Sequence, residues 1–298
     1  MTDASLDRDT LKALSAKTPW PWLRDALLDW GVIACAAGAA VWADHWAMWA
    51  AAALVVGNRQ HALAILGHDG THYTLLRSKL WNDVLTNALA FWPLGLTADG
   101  YRELHFQHHR YANTERDPEL LHRAGKAPQW DLPTRPITVL GYAALDLVGY
   151  SVPDYLLIVR FARPQHLSSF SALVAFHAGM IAGCTVTAAW PLAGLWYGAL
   201  LTTFMMQFRL RTWLEHQGSD GTHRLHLGWT ARILLSPHNA WYHYEHHHWP
   251  SVPYHRLPQL RALLPGEPVL TLRQLMSTYA RSGVIASGMP LKALDTQP

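Results

Sequence analysis

Apolar residues in this chain fall into stretches separated by short polar breaks. The first runs over residues 27–42, and after Asp44-His45 a second runs over 46–66. Crossing a bilayer core takes about 20 helical residues, so the first is short, the second is adequate, and together they predict a helical hairpin. Its turn carries no Lys or Arg, which suits the external side. Arg59 and His61 interrupt the second stretch, yet the apolar pattern resumes through Ile65 and Leu66 up to His68. That predicts one long helix leaving the membrane. Residues 80–96 form a shorter stretch, with Asn82, Asp83 and Asn87 near its start and Trp92-Pro93 near its end; an interfacial or re-entrant helix is expected there. The polar residues 113–131 read as loop. Residues 137–159 are apolar but broken by Asp146, Pro153 and Asp154, which places them along the membrane surface. A second hairpin is predicted from 170–189 and 192–208, joined by Trp190-Pro191, with Gly179 and Gly183 allowing close helix approach.

The flanking charges orient these elements. Arg59, Arg77, Lys79, Arg102, Arg110, Arg160, Arg163, Arg209 and Arg211 all flank one side, the cytoplasmic side by the positive-inside rule. The expected architecture is therefore an all-α integral membrane protein. Four transmembrane helices in two hairpins leave both termini in the cytoplasm. One domain spans 1–298: an N-terminal cytoplasmic segment over 1–26, the spanning helices within 27–208, and a cytoplasmic helical cap over 209–298. The inner membrane of a cell is the expected location. Of the 298 residues half are hydrophobic and 15% charged, below the quarter or so usual in soluble proteins. Fifteen tryptophans and eleven tyrosines suit the two bilayer interfaces. A net charge of +3 is too small to point to nucleic acid. Cys35 and Cys184 sit in apolar segments, so neither a disulfide framework nor a thiolate metal site is expected. The first twenty-five residues lack an apolar run, and no cleaved signal peptide is expected.

The nineteen histidines are the outlier, and eight of them fall into three clusters. These are His68-Asp69-Gly70-Thr71-His72, His105-Phe106-Gln107-His108-His109 and His243-Tyr244-Glu245-His246-His247. On a helix, residues three and four apart share a face, so each cluster aims two or three imidazoles at one point. Adjacent histidines such as His108 and His109 diverge by about 100°. One ion cannot easily take both, so the clusters suit two metal ions in a cage of nitrogen ligands. The first two clusters lie between the hairpins and the third in the C-terminal part. His61 shares the face of His68 but reads as a helix-surface or supporting residue. His177, in mid-span, reads as a packing contact.

In the order HxxxH, HxxHH, HxxHH, the chain resembles the membrane fatty-acid desaturase and hydroxylase superfamily. The resemblance covers roughly residues 61–258. It includes His105-Phe-Gln-His-His-Arg-Tyr-Ala-Asn with Asp117-Pro118 following, and Asn239-Ala-Trp-Tyr-His-Tyr-Glu-His-His-His-Trp-Pro-Ser-Val-Pro. It implies a non-haem di-iron centre at the cytoplasmic mouth of a four-helix membrane bundle. It also implies a further ligand upstream of the third box, where His216 stands in Trp213-Leu-Glu-His. The implied metal ligands are then His68, His72, His105, His108, His109, His216, His243, His246 and His247. Asp69, Asp117, Glu215 and Glu245 are candidates to accept the other imidazole N–H of ligating histidines. Asn239 is a candidate to hold a metal-bound water or orient a ligand. His238 and His248 flank the third box, and His248 is expected to be exposed.

Imidazole suits iron, and breaking an unactivated C–H bond needs the oxidant that two irons generate from O2 and two electrons. The expected activity is O2-dependent desaturation of the alkyl chain of a membrane lipid or fatty acyl substrate. Hydroxylation of an acyl chain, alkane or carotenoid uses the same centre and is the alternative. A membrane zinc hydrolase is disfavoured because neither HExxH nor HxxEH occurs. A metal transporter or sensor would place its ligands within the spans. Electrons are expected from a separate protein, such as a ferredoxin or rubredoxin with its reductase. A basic rim of Arg102, Arg110, Arg209, Arg211 and Arg256 would dock such an acidic donor or face lipid phosphates.

Overall fold

The computed structural model describes residues 6–119, 126, 130, 135–216, 221–264 and 268–282. In chain order its helices are α1 (Arg8–Leu14), α2 (Pro19–Ala43), α3 (Trp46–Thr71), α4 (Lys79–Thr86) and α5 (Ala98–Tyr111). They continue as α6 (Pro136–Leu147), α7 (Val152–Phe161), α8 (Leu167–Val186), α9 (Trp190–Ala199) and α10 (Met205–Glu215). The C-terminal part holds strand β1 (Arg224–His226), α11 (Trp229–Leu235), α12 (His243–His248), α13 (Leu257–Leu263), β2 (Val269–Thr271) and α14 (Leu272–Ser282). The chain forms two compact units. One gathers Thr18–Glu103 and Ala144–Phe208, the other Met1–Lys17, Leu104–Ala143 and Arg209–Pro298.

The first unit is built on the α2–α3 hairpin. Helix α2 starts at Pro19, ahead of the apolar run, because Pro19 and Pro21 fit the first helical turn. Trp22 then anchors that turn, fully buried with its indole N–H on the Leu66 carbonyl at 2.9 Å. Asp44, in the left-handed region at φ 43°, closes α2, and the His45 ring accepts from the Ala47 N–H at 3.2 Å to open α3. Helix α3 outruns its apolar stretch and carries His68 on its last turns, with His72 as the capping residue. Against it lie α9 and a π turn, Leu200–Phe204, through a core of Ile33, Ala52, Val56, Leu63, Leu195, Trp196 and Phe204. Trp30 and Trp196 stack with centroids 5.3 Å apart. Gly57 lets the π turn approach, since a Cβ there would run into Thr203.

The helix expected over 80–96 is α4, continued by a π turn, Asn87–Phe91, and a 3-10 turn, Trp92–Leu94. The predicted turn at Trp190-Pro191 lies elsewhere. The chain reverses at Thr187–Ala189, with Ala188 at φ 53°, and Pro191 sits in the first turn of α9, where its missing N–H does no harm. The polar loop over 113–131 is described only in part. Turns occupy 112–116, and residues 120–125, 127–129 and 131–134 lie outside the described residues.

Among the described residues two segments are long and apolar enough to cross a membrane, Arg8–Ala43 and Leu167–Val186, and the bent pair α6–α7 makes a third if it is counted as one span. Helix α8 is the clearest: it is strongly apolar, yet none of its residues is buried. A 20-residue helix is about 30 Å long, and one that is apolar on every side needs lipid around it.

In the second unit β1 and β2 pair in parallel, Arg224 opposite Val269, Leu225 opposite Leu270 and His226 opposite Thr271. This short ladder is the departure from the all-helical expectation. Trp213, Leu214, Leu225 and Leu275 form the core beside it. Asp7 caps α1 by accepting from the Thr10 N–H at 2.8 Å, and the α1 end meets Ser251 through the Ser15 hydroxyl at 2.9 Å.

Helix α5, which bears the second histidine box, begins where Gly100 lies against the backbone carbonyls of Ala162 and Arg163. Backbone there cannot swing aside as a flexible side chain would. Gly100→Ala should therefore lower stability by about 1–3 kcal/mol, the usual cost of overpacking. Thermal unfolding of the detergent-purified protein checks this, and an unchanged midpoint would refute the close approach.

Candidate metal centre

Seven of the nine predicted histidines lie in one unit: His105, His108 and His109 on α5, His216 just past α10, and His243, His246 and His247 on α12. The ring nitrogens of His108, His216, His243 and His247 all lie within 4.8 Å of one another. His216 Nε2 is 3.2 Å from His108 Nε2 and 2.6 Å from His243 Nε2, and His243 Nε2 is 3.0 Å from His247 Nε2. A second convergence joins His105, His109 and His246, with His109 Nε2 2.8 Å from His105 Nε2 and 3.1 Å from His246 Nε2. His108 and His109 thus serve different groups, and so do His246 and His247, as the 100° offset of adjacent helical residues requires. His68 and His72 belong to the other unit, where their rings sit 5.7 Å apart at the end of α3 and His68 faces Tyr101 at 6.3 Å.

Two tautomers follow from the partners. His108 Nδ1 is 2.9 Å from Asp117 Oδ1, and His216 Nδ1 is 2.9 Å from the Gly221 carbonyl. A carboxylate and a carbonyl can only accept, so both Nδ1 atoms donate, and a neutral ring keeps its lone pair on Nε2. That leaves both Nε2 atoms as lone-pair donors, 3.2 Å apart and with His243 Nε2 2.6 Å from that of His216. Neutral imidazole presented in this way is a metal donor. The residues present fit a bound metal.

Burial opposes the charged form of two of these rings. It takes His243 well below the ordinary imidazole range, with His247 and His216 adding to the effect. Burial, and then His108, bring His109 down to about 3. Asp117 goes the other way. Burial opposes its charge, but His108 and the backbone N–H groups of Asn113 and Glu119, each at 2.9 Å, outweigh that and hold its pKa below the usual value. Burial pushes Glu215 up to about 7 despite Arg211 at 2.6 Å; its Oε2 stands 3.7 Å from His243 Nε2.

The remaining candidates take other roles. Asp117 accepts from His108 Nδ1 at 2.9 Å. Glu245 does not touch an imidazole. It is fully buried and ion-paired with Arg224 at 2.6 Å and with Arg261 at 2.7 and 2.9 Å. Asn239 turns the chain at φ 59° and donates its amide to the Tyr254 carbonyl at 3.2 Å, so its side chain is occupied away from the histidines. Asp69 accepts from the Thr74 hydroxyl at 2.7 Å. His248 is exposed and bonds the Tyr244 carbonyl at 2.8 Å, and His238 faces Tyr254. His61 lies against Phe204, and His177 bonds the Tyr197 hydroxyl at 2.8 Å.

The basic rim is largely absorbed into the fold. Arg209 is fully buried among Trp130, Tyr142 and Trp213, and Arg102 grips Asp83 and the Thr71 carbonyl. Arg211 pairs with Glu215, and Arg256 reaches the Ala13 and Leu14 carbonyls. Sequence reasoning missed Asn113, whose amide bonds the carbonyls of His216 at 2.9 Å and Gly221 at 3.0 Å. It also missed Arg224 and Arg261. The available signal was Glu245 itself, an acid inside a histidine run that buries with its neighbours and so needs a cation.

The family model for fatty acid desaturases matches residues 44–272. Dihydrorhizobitoxine desaturase of Bradyrhizobium elkanii is 26% identical over 296 residues, covering 91% of this chain and 80% of that protein. Two β-carotene ketolases of Paracoccus strains are each 28% identical, covering 67% of this chain and 73% of theirs.

Metal-free protein should lose stability as pH falls. His109 has a folded pKa near 3 against an ordinary 6.5, so the folded state resists protons that the unfolded chain accepts. Its contribution is whole above about pH 6.5 and declines steadily below it, down to the folded value. Unfolding midpoints of the apo protein from pH 8 to 5 measure this, and a flat profile would contradict the buried neutral ring.

Proposed function

The chain belongs to the fatty acid desaturase family and is an oxygen-dependent oxidoreductase of the desaturase and oxygenase kind; we propose that it desaturates the alkyl chain of a lipid or fatty acyl substrate at a di-iron centre. The observation that carries this reading is the convergence of imidazoles in two groups, with the tautomers of His108 and His216 fixed so that their lone pairs meet. The proposed ligands are His105, His108, His109, His216, His243, His246 and His247, with His68 and His72 added on the three-box pattern. Two irons held there would supply an oxidant, made from O2 and two electrons, strong enough for an unactivated C–H bond. The chain's own part is to keep its imidazoles neutral, to hold the His108 ring through Asp117, and to surround the alkyl chain with apolar helices rather than water.

The apolar α2 and α8 and the family membership support a membrane protein. We place four spans at α2, α3, α8 and the run from α9 into α10, with the termini and metal site on the cytoplasmic face of the inner membrane. The charge bias of the flanking segments supports that orientation. The family match runs without a break through both compact units, which supports one functional domain over 1–298. The electron donor is a separate small redox protein of the ferredoxin or rubredoxin class with its reductase. A second reading, oxygenation of a carotenoid, alkane or acyl chain, has one specific support: two of the similar proteins are β-carotene ketolases.

The test is the mass of lipids and supplied alkyl compounds extracted from a host expressing the chain, compared with His246→Ala. A product lighter by two hydrogens that disappears in the variant, together with loss of bound iron, is expected. A product heavier by oxygen selects the second reading. Full activity in His246→Ala would overturn the ligand assignment.

A further inference from the structure

Helix α12 has six residues, fewer than two turns, yet three of them, His243, His246 and His247, belong to the metal centre. A helix this short cannot hold its own geometry, because nucleation is unfavourable and few hydrogen bonds follow. Something else must fix the direction of its side chains. Glu245 stands about 200° round the helix from His243, on the side away from the clustered imidazoles. Its carboxylate is gripped there by two arginines from different elements, Arg224 of β1 and Arg261 of α13.

Both arginines are tied down in turn. Arg224 Nη1 donates to the Leu264 carbonyl at 2.8 Å. Arg261 donates from Nη1 to the Leu225 carbonyl at 2.8 Å, and its guanidinium lies over the Tyr242 ring, 4.0 Å from the centroid. The carboxylate therefore joins α12 to β1, to α13 and to the 3-10 turn Ala240–Tyr242 at a single point. The two Arg261 bonds to separate carboxylate oxygens, at 2.9 and 2.7 Å, fix rotation as well as distance. We infer that Arg224 and Arg261 are positioning residues of the metal centre: through Glu245 they set where His243, His246 and His247 point. The inference rests on those histidines binding metal.

The experiment uses the full-length protein in detergent, loaded with ferrous iron, and compares Arg261→Lys, Arg224→Lys and Glu245→Gln with wild type. Lysine keeps the charge but cannot make the paired bonds. Arg261→Lys is expected to retain wild-type helical circular dichroism while binding iron about 10–100-fold more weakly, as changes in residues that orient ligands usually do. X-ray absorption should show fewer nitrogen neighbours per iron. Arg224→Lys should lose less, because Arg224 makes one contact with the carboxylate, and the exchange Glu245→Arg with Arg261→Glu should recover part of the loss. Glu245→Gln leaves two buried arginines without their anion, and if it does not fold, Arg261→Lys decides. Leu275→Ala, in the core of the same unit, controls for general destabilisation and should keep iron affinity. Wild-type affinity and absorption spectrum in folded Arg261→Lys would overturn the inference, and so would an equal loss in Leu275→Ala. Failure of the wild-type protein to bind iron would instead overturn the metal-centre reading.

Discussion

The centre of this protein is an electrostatic conflict. His108 and His216 each spend their only N–H on an acceptor at 2.9 Å, and their lone-pair Nε2 atoms are left 3.2 Å apart. Neither ring can rotate out of the conflict without abandoning its acceptor. Much of the surrounding structure serves to maintain that arrangement. Asn113, at φ 57°, turns the chain after α5 so that its amide reaches the His216 and Gly221 carbonyls, and its backbone N–H holds Asp117 in place. One residue thus supports both of the opposed rings.

The apolar unit solves a different problem with similar means. Its helices need lipid on the outside, yet α3 carries Asn58, Arg59, Gln60 and His61 at mid-length. Arg59 pairs with Asp29 of α2 at 3.0 Å, Asn58 donates to Gln207 at 2.8 Å, and Gln60 donates to the Trp196 carbonyl at 2.9 Å. Buried ionic groups left alone in such surroundings are very costly. Here each cross-link ties α3 to a different neighbour, so the polar residues that interrupt its apolar stretch also fix its rotation.

The histidine spacing was legible because helical periodicity alone separates His108 from His109 and His246 from His247. The apolar runs likewise marked α2, α3, α8 and α9. What escaped were features that depend on distant partners. No local pattern says that Arg224 and Arg261 meet at Glu245, or that Arg209, which reads as a surface cation, is enclosed by Trp130, Tyr142 and Trp213. The turn at Ala188 was misplaced because Pro191 marks a break in sequence but a helix start in space. The parallel ladder of β1 and β2 joins segments more than forty residues apart, and three-residue strands leave almost no alternation to read.

The π turn at Leu200–Phe204 has a meaning for chain length. A π turn takes one residue more than the α-helix around it needs, and such turns are often found near functional sites. Loss of a single residue there would restore ordinary helix and rotate everything beyond it by about 100°. Gln207 would swing away from Asn58 and break their side-chain bond. In this stretch the number of residues is itself a structural parameter, and an insertion or deletion would be felt more strongly than most changes of side chain.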